Sequence, residues 1–319
     1  MARERIKSVQ GTQDVLPGEW GGWRRLSEAA RRVCRRYGYG EVRTPIFEQT
    51  RLFVKGTGQT TEIVEKQMYT IPTGEDESIT LRPEGTPPVI RSYLQNNLHK
   101  QAPFQKFYYV GPMFRRERPQ KGRLRQFHQL GAEALGSDNP LLDAEIVTLA
   151  VNIFRQVGLT RFTVRLNSIG CAACRSGLRE GMRAALEPSL GELCEDCVRR
   201  VDRNVFRVLD CNNEQCRRIT SALPPMADLL CPACAEHYAL VKEALQRTGV
   251  PYQEDPHLVR GLDYYTRTVF EVRHSGLGAR DAICGGGRYD GLVELLGGPR
   301  PSSPLAALLA APGPASPTS

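Results

Sequence analysis

The sequence predicts an α+β chain: an antiparallel sheet flanked by helices and interrupted by an inserted helical module. Three observations carry this. Phe107-Tyr108-Tyr109-Val110 is aromatic and β-branched, Phe127 to Leu135 is apolar with regular polar breaks, and Pro119-Gln120-Lys121-Gly122 lies between them, so the segment reads as a hairpin. Apolar residues recur at helical spacing outside it, as Trp23, Leu26, Ala30, Val33 and Tyr37, and again as Ile146, Leu149, Ile153 and Val157. Eight of the ten cysteines fall between Cys171 and Cys234, where strand patterns stop and helical ones begin.

In chain order, Gly11-Thr12-Gln13-Asp14-Val15-Leu16-Pro17 is a loop leading into a basic amphipathic helix that Gly38 stops. Glu41-Val42-Arg43 is a short strand ended by Thr44-Pro45, where proline forbids central pairing. Leu52 to Val64, rich in glycine and threonine, is expected as a loop over a pocket. Ile79-Thr80-Leu81 is a strand running into the charged turn Arg82-Pro83-Glu84-Gly85-Thr86. Leu141 to Val157 is a helix stopped by Gly158, and Phe162 to Leu166 a strand. Helices at Leu178–Leu186 and His237–Leu245 belong to the insertion. A strand at Val269–Val272 follows, and the glycine-rich run Ile283 to Gly291 is expected as a turn entering a helix. Residues 299–319 hold six prolines and a single charge, Arg300, a composition expected to stay disordered. The resulting division is a core in two parts, 1–168 and 250–298, an insertion over 169–249, and the tail over 299–319.

With 319 residues and 40% apolar content, the chain can bury a substantial core. The formal net charge of +8 favours a polyanionic partner without requiring one. Met-Ala-Arg-Glu-Arg-Ile-Lys lacks the apolar core of a signal peptide, and no run approaches the ~20 apolar residues of a membrane helix. A cytoplasmic location is expected, with cysteines as thiols or metal ligands rather than disulfides.

The hairpin carries chemistry. Phe114 to Gln129 holds five arginines and a lysine, so its tip is strongly cationic. On the outgoing strand Gln129, Gly131 and Glu133 share one face, as Arg115 and Glu117 do on the incoming one. Gly131 weakens the strand unless something approaches closely, which predicts a small polar ligand on the hairpin floor rather than a bare solvated ribbon.

Together these segments resemble class II aminoacyl-tRNA synthetases, and among them the histidyl-tRNA synthetases, from Val9 to about Gly298. Thr44-Pro45 with its helix resembles the motif of the class's dimer interface, and Phe114-Arg115 through Glu133 resembles the second class motif. Arg260-Gly261-Leu262-Asp263-Tyr264-Tyr265 and Gly285-Gly286-Gly287-Arg288-Tyr289-Asp290 look like two signatures of the histidine enzyme. A lone glycine triplet is a weak signal; the joint occurrence in this order is specific.

The resemblance implies activation of L-histidine by ATP with Mg²⁺, transfer to tRNA(His), and a homodimer. Arg115 and Arg260 would meet the α-phosphate and the carboxylate, as planar guanidinium groups suit. Glu117 would contact adenine. Glu84, Gly85, Thr86 and Gln129 would take the ammonium side of histidine, Glu133 and Tyr264 its ring, and Tyr265 the wall. Gln120, Lys121, Arg123 and Arg125 would hold the tRNA acceptor end through salt-sensitive contacts.

The cysteines form close pairs: Cys171 with Cys174, Cys194 with Cys197, Cys211 with Cys216, and Cys231 with Cys234. Two-residue spacing is that of zinc knuckles, and two pairs make one tetrahedral site, so one or two structural Zn²⁺ ions are expected. Eight free thiols are the competing reading, and the pairing stays open. Two family features have no counterpart here: the third class motif and an anticodon-binding domain. The departure predicts weak or absent adenylate formation, and leaves a second function open: a non-catalytic, histidine-binding regulatory subunit of ATP phosphoribosyltransferase. Intact Arg115, Glu117 and Arg260 favour the ligase.

Overall fold

The computed structural model describes residues 5–59, 61–119, 123–276 and 282–299. The tail expected over 299–319 therefore lies, but for its first residue, outside the described residues, as do Gln120 and Lys121 of the hairpin tip.

The N-terminal amphipathic pattern forms α1 (Trp20–Arg36), whose buried face is Ala29, Ala30, Val33 and Cys34. Two short strands, β1 (Gly40–Glu41) and β2 (Phe47–Gln49), flank the proline bend. The segment expected as a loop from Leu52 instead begins inside α2 (Thr50–Thr57), which buries Leu52 and Phe53, and a π-helical turn follows at Ile63–Gln67. Burial of that apolar pair outweighs the β-branched and glycine residues that argue locally against a helix. Then come β3 (Tyr69–Pro72), β4 (Ser78–Leu81), α3 (Thr86–Gln95) and the one-turn α4 (Leu98–Gln101).

The hairpin is β5 (Gln105–Phe114) against β6 (Gln126–Leu135), paired in register over their whole length, with Tyr109 opposite Gly131 and Phe107 opposite Glu133. β1 adds to β5 in parallel, and β2 and β3 sandwich β4 antiparallel in a second sheet. α5 (Pro140–Gln156), capped by the Asn139 side chain on the Leu141 N–H, leads into β7 (Phe162–Ser168).

The insertion follows as α6 (Ala172–Leu186), α7 (Glu195–Asn204), α8 (Glu214–Ser221) and α9 (Pro232–Arg247), joined by 3₁₀ turns. The chain returns through β8 (Tyr252–Glu254), β9 (Thr266–His274), β10 (Ala282–Arg288) and the short α10 (Leu292–Leu295). These strands form a sheet in the order β10-β9-β7-β8.

The glycine triplet expected in a turn is thus the centre of a strand. β-Carbons explain why. A Cβ on Gly285 would sit 2.4 Å from the Arg260 guanidinium, and one on Gly287 would sit 2.6 Å from the Thr268 carbonyl and 2.9 Å from the Tyr265 ring. Glycine here serves close approach between neighbouring backbone and side chains, a meaning it takes inside strands as well as turns. One apolar core lies between α1, α5, α9 and the two larger sheets; a second runs from α3 and the Tyr264–Tyr265 segment into the insertion.

Candidate active site

The site is built where β6, α3 and the 258–267 segment meet. Glu133 projects from β6 into full burial and accepts from Thr86 Oγ1 at 2.9 Å, from Tyr109 Oη at 3.4 Å and from Tyr289 Oη. Glu84, at the turn before α3, is equally buried and accepts from Thr57 Oγ1 at 2.6 Å and Tyr264 Oη at 2.7 Å. Gln129 accepts the Gly85 N–H at 3.2 Å, while its buried Nε2 has no partner among the described residues. Tyr264 packs against Tyr265 at 4.7 Å between ring centroids and against Tyr289 at 5.4 Å.

Burial dominates the electrostatics. It pushes the Glu133 carboxyl up to about 8, with the Glu84 charge adding to the rise and the Tyr289 and Thr86 hydrogen bonds opposing it. Burial likewise raises Glu84, against hydrogen bonds from Thr57 and Tyr264 and the positive charge of Arg115. Tyr264 and Tyr289 are held well above the usual phenol range by burial and by Glu84 and Glu133 respectively. Burial thus disfavours the charged form of both carboxyls, and of Glu133 most clearly, among three phenols.

The two arginines reach this cluster from different elements. Arg115, just beyond β5, donates from Nε to the Pro83 carbonyl at 2.9 Å and lies 5.2 Å over the Phe127 ring. Its pKa is lowered by burial, with Glu84, Glu117 and Tyr264 acting in the opposite direction. Arg260 passes over Gly285, pairs with Glu271 at 2.6 Å, and interacts with Tyr265. Its burial would lower its pKa, but Tyr265 and Glu271 outweigh that and raise it. The buried Arg260 Nε has no hydrogen-bond partner among the described residues. Polar atoms left unpaired in a buried position point to a ligand that completes them.

Not every expected residue faces this pocket. The close approach that Gly131 was expected to allow is made by the Tyr109 ring, 2.1 Å from where a Cβ would lie. Glu117 pairs with Arg123 at 2.8 Å. Arg125 donates to the carbonyls of Glu117 at 3.2 Å and Gln10 at 3.3 Å, so its charge ties the hairpin to the N-terminal loop.

Several contributors carry no local signal. Arg82 gathers the proline bend by donating to Thr44 O at 2.8 Å and Pro45 O at 3.3 Å. Thr57 and Tyr109 meet the carboxylates only through long-range packing. Arg288, fully buried, pairs with Asp143 at 2.6 Å, and Asp143 also meets His237 at 2.8 Å. Burial opposes the ionised form of Asp143, but the Arg288 charge and the His237 hydrogen bond hold its pKa low. The second glycine-containing signature is thereby anchored to α5 and α9. The cysteines sort into two separate tetrads: Cys171, Cys174, Cys231 and Cys234, and Cys194, Cys197, Cys211 and Cys216.

Mainly antiparallel sheets flanked by helices, with a basic hairpin, match the α+β fold of a class II aminoacyl-tRNA synthetase. The chain belongs to the histidyl-tRNA synthetase family, whose model, "Histidyl-tRNA synthetase", matches residues 11–311. It is 51% identical over 290 residues to a histidine–tRNA ligase of Desulforamulus reducens, covering 91% of this chain and 69% of the relative. A histidine–tRNA ligase of Moorella thermoacetica is also 51% identical, over 91% of this chain and 68% of the relative. The apo histidyl-tRNA synthetase of S. aureus superposes with a TM-score of 0.76 at 38% identity, over 97% of this chain and 72% of that one. A Bacillus halodurans protein titled ATP phosphoribosyltransferase regulatory subunit/histidyl-tRNA synthetase gives 0.70 at 20% identity, a likeness of fold alone. No helix among the described residues is long and apolar enough to cross a membrane.

Proposed function

We propose that the chain is a histidine–tRNA ligase, joining the carboxylate of L-histidine to the α-phosphate of ATP with release of pyrophosphate, then passing the histidyl group to tRNA(His). One arrangement supports this: Arg115 holds the Pro83 carbonyl beside the buried Glu84–Tyr264 pair, and Arg260 interacts with Tyr265, whose ring packs on Tyr264. The reacting carboxylate and phosphates are anionic, so fixed guanidinium groups stabilise charge where it concentrates. ATP would enter as its Mg²⁺ complex.

Within this reading Arg115 and Arg260 hold the α-phosphate and carboxylate. Glu84, Gly85, Thr86 and Gln129 receive the ammonium, Glu133 and Tyr264 the imidazole, and Tyr265 forms the wall. Glu117 exchanges Arg123 for adenine, and the hairpin tip from Gln120 to Arg125 meets tRNA. Residues 1–168 and 250–298 form one catalytic core around the insertion. A second copy covers the apolar surface exposed at Ile46, Phe47 and Ile71. Relatives at 51% identity support the ligase over the regulatory subunit, whose namesake shares only the fold.

The test is calorimetric binding of L-histidine against other amino acids, followed by histidine-dependent ATP–pyrophosphate exchange. Selective binding with exchange that Arg260→Ala abolishes is the expected result. Histidine binding with no exchange would overturn adenylate formation by this chain, and no binding would remove the histidine site.

A further inference from the structure

We propose that each cysteine tetrad holds one Zn²⁺ ion and that the two ions position the loop carrying Arg260, Tyr264 and Tyr265. The importance of that loop rests on the ligase reading; the metal sites do not.

The sulfur geometry comes first. Within each tetrad all four Sγ atoms lie within 4.8 Å of one another. Cys171 and Cys174 are 3.7 Å apart, and Cys194 and Cys211 are 3.8 Å apart. A tetrahedron of thiolates around Zn²⁺ with bonds of about 2.3 Å has edges of about 3.8 Å. A polynuclear iron–sulfur cluster would need its thiolates held much further apart. Four soft ligands around one small void select a thiophilic divalent ion, and zinc above the harder metals.

The backbone around each tetrad holds its sulfurs in place. Cys171, Cys194 and Cys231 are the N-cap residues of α6, α7 and α9, so the start of each helix fixes where its sulfur lies. Backbone N–H groups donate directly to sulfur: Cys231 to Cys174 at 3.2 Å, Cys194 to Cys216 at 3.3 Å and Asn213 to Cys211 at 3.4 Å. Such outer contacts orient metal ligands. The first tetrad joins the entry of the insertion to its last helix, and the second lies nested inside.

The link to the active site runs through three side chains beside these sulfurs. Arg175, adjacent to Cys174, donates to the Tyr265 carbonyl at 2.8 Å and the Asp263 carbonyl at 3.4 Å. Asn204, at the end of the helix that Cys194 starts, donates to Asp263 Oδ1 at 3.1 Å. Arg207, four residues before Cys211, donates to Asp263 Oδ1 at 3.0 Å and to the Gly261 carbonyl at 2.9 Å. Residues 261 to 265 are therefore gripped from the insertion on one side, while the Asp263 N–H reaches the Thr57 carbonyl at 3.4 Å and Tyr264 reaches Glu84 on the other. Opening either tetrad frees one of the grips.

The experiment uses the full chain purified without chelators. Mass-spectrometric metal analysis and release of zinc by a thiol-blocking mercurial, read with a chromogenic chelator, should give two ions per chain. Cys171→Ser with Cys174→Ser should remove one, and Cys194→Ser with Cys197→Ser the other. Should those variants fail to fold, Co²⁺ exchanged into the unaltered protein should show sulfur-to-metal charge transfer and tetrahedral visible bands of two tetrathiolate sites.

Hydrogen exchange then reads the loop: stripping the metal should speed exchange across 261–267 by about tenfold, as loss of one or two hydrogen bonds would. Arg175→Ala should keep both ions and still loosen the loop. A metal-free protein with eight titratable thiols, native disulfides within the tetrads, or a single ion per chain would overturn the sites. Two ions whose removal leaves loop exchange unchanged would overturn the positioning. Zinc content is independent of histidine binding, so either result stands apart from the ligase reading.

Discussion

Replacing Glu133 by glutamine should make the protein more stable relative to wild type as pH rises, with a slope the structure fixes. Glu133 is fully buried, and its carboxyl is pushed from 4.5 up to about 8. A folded-state pKa above the unfolded one means the wild type has its full stability below pH 4.5 and loses it as pH rises through 8. The displacement corresponds to a total of about 5 kcal/mol, lost at about 1.4 kcal/mol per pH unit. Glutamine has nearly the same shape and does not titrate. Its different hydrogen bonding with Thr86, Tyr109 and Tyr289 adds an offset that is constant with pH. Glu84, raised for the same reason, is present in both proteins. Urea unfolding of each protein at pH 5 to 9 should therefore show the stability difference growing by about 4 kcal/mol up to pH 8 and levelling above it. A difference that stays flat across this range would mean Glu133 is ionised in the folded protein, and the account of Glu133 as a carboxyl kept neutral by burial would be wrong.

Other outcomes follow from the same coordinates. Gly285→Ala sets a methyl 2.4 Å from the Arg260 guanidinium, the mobile end of a side chain, so stability should change by less than about 1 kcal/mol while histidine-dependent exchange falls by about tenfold or more; unchanged exchange would show that Arg260 need not occupy that position. Asp143→Asn takes from the fully buried Arg288 its closer carboxylate, leaving Asp290 at 3.4 Å, and should cost about 3–5 kcal/mol in denaturant unfolding, as breaking a buried pair from one side does. A cost below about 1 kcal/mol would show that Asp290 and the backbone carbonyls of Ser137 and Asn139 suffice for Arg288.

What the sequence disclosed depended on range. The hairpin, α5 and β7 follow from periodicity; β6, α5 and β7 sit within a residue or two of their expected bounds, and β5 runs four residues past the expected Val110. The glycine triplet was misplaced in a turn because glycine signals conformational freedom and close approach alike; only coordinates show the Arg260 guanidinium across Gly285. α2 was hidden because its helix rests on burial of Leu52 and Phe53, a tertiary fact. The cysteine pairs were legible, but not that the first joins the last and encloses the other two. Of the site, the charged residues were identifiable by type, whereas their partners Thr57, Tyr109 and Arg175 lie 27, 24 and 90 residues from the groups they hold and leave no spacing to read.

The carboxylates explain how such a pocket could be selective. In the free protein Glu84 and Glu133 are satisfied by hydroxyls, two from threonine and three from tyrosine. A ligand must therefore exchange with bonds already made, and exchange is favourable only when the newcomer offers more than a neutral donor. An ammonium near Glu84 and an imidazole N–H near Glu133 meet that condition, because a cation lowers the carboxyl pKa and draws out the charge that burial suppressed. An amino acid with an apolar side chain would leave Glu133 protonated and return nothing for the displaced donors. Rejection then comes from unpaired buried polar groups rather than from size, which is the stronger of the two sieves. Proton release on histidine binding is the corollary. In calorimetry the apparent enthalpy should change with the ionisation enthalpy of the buffer near pH 7, and an enthalpy independent of buffer would place the ligand away from Glu133.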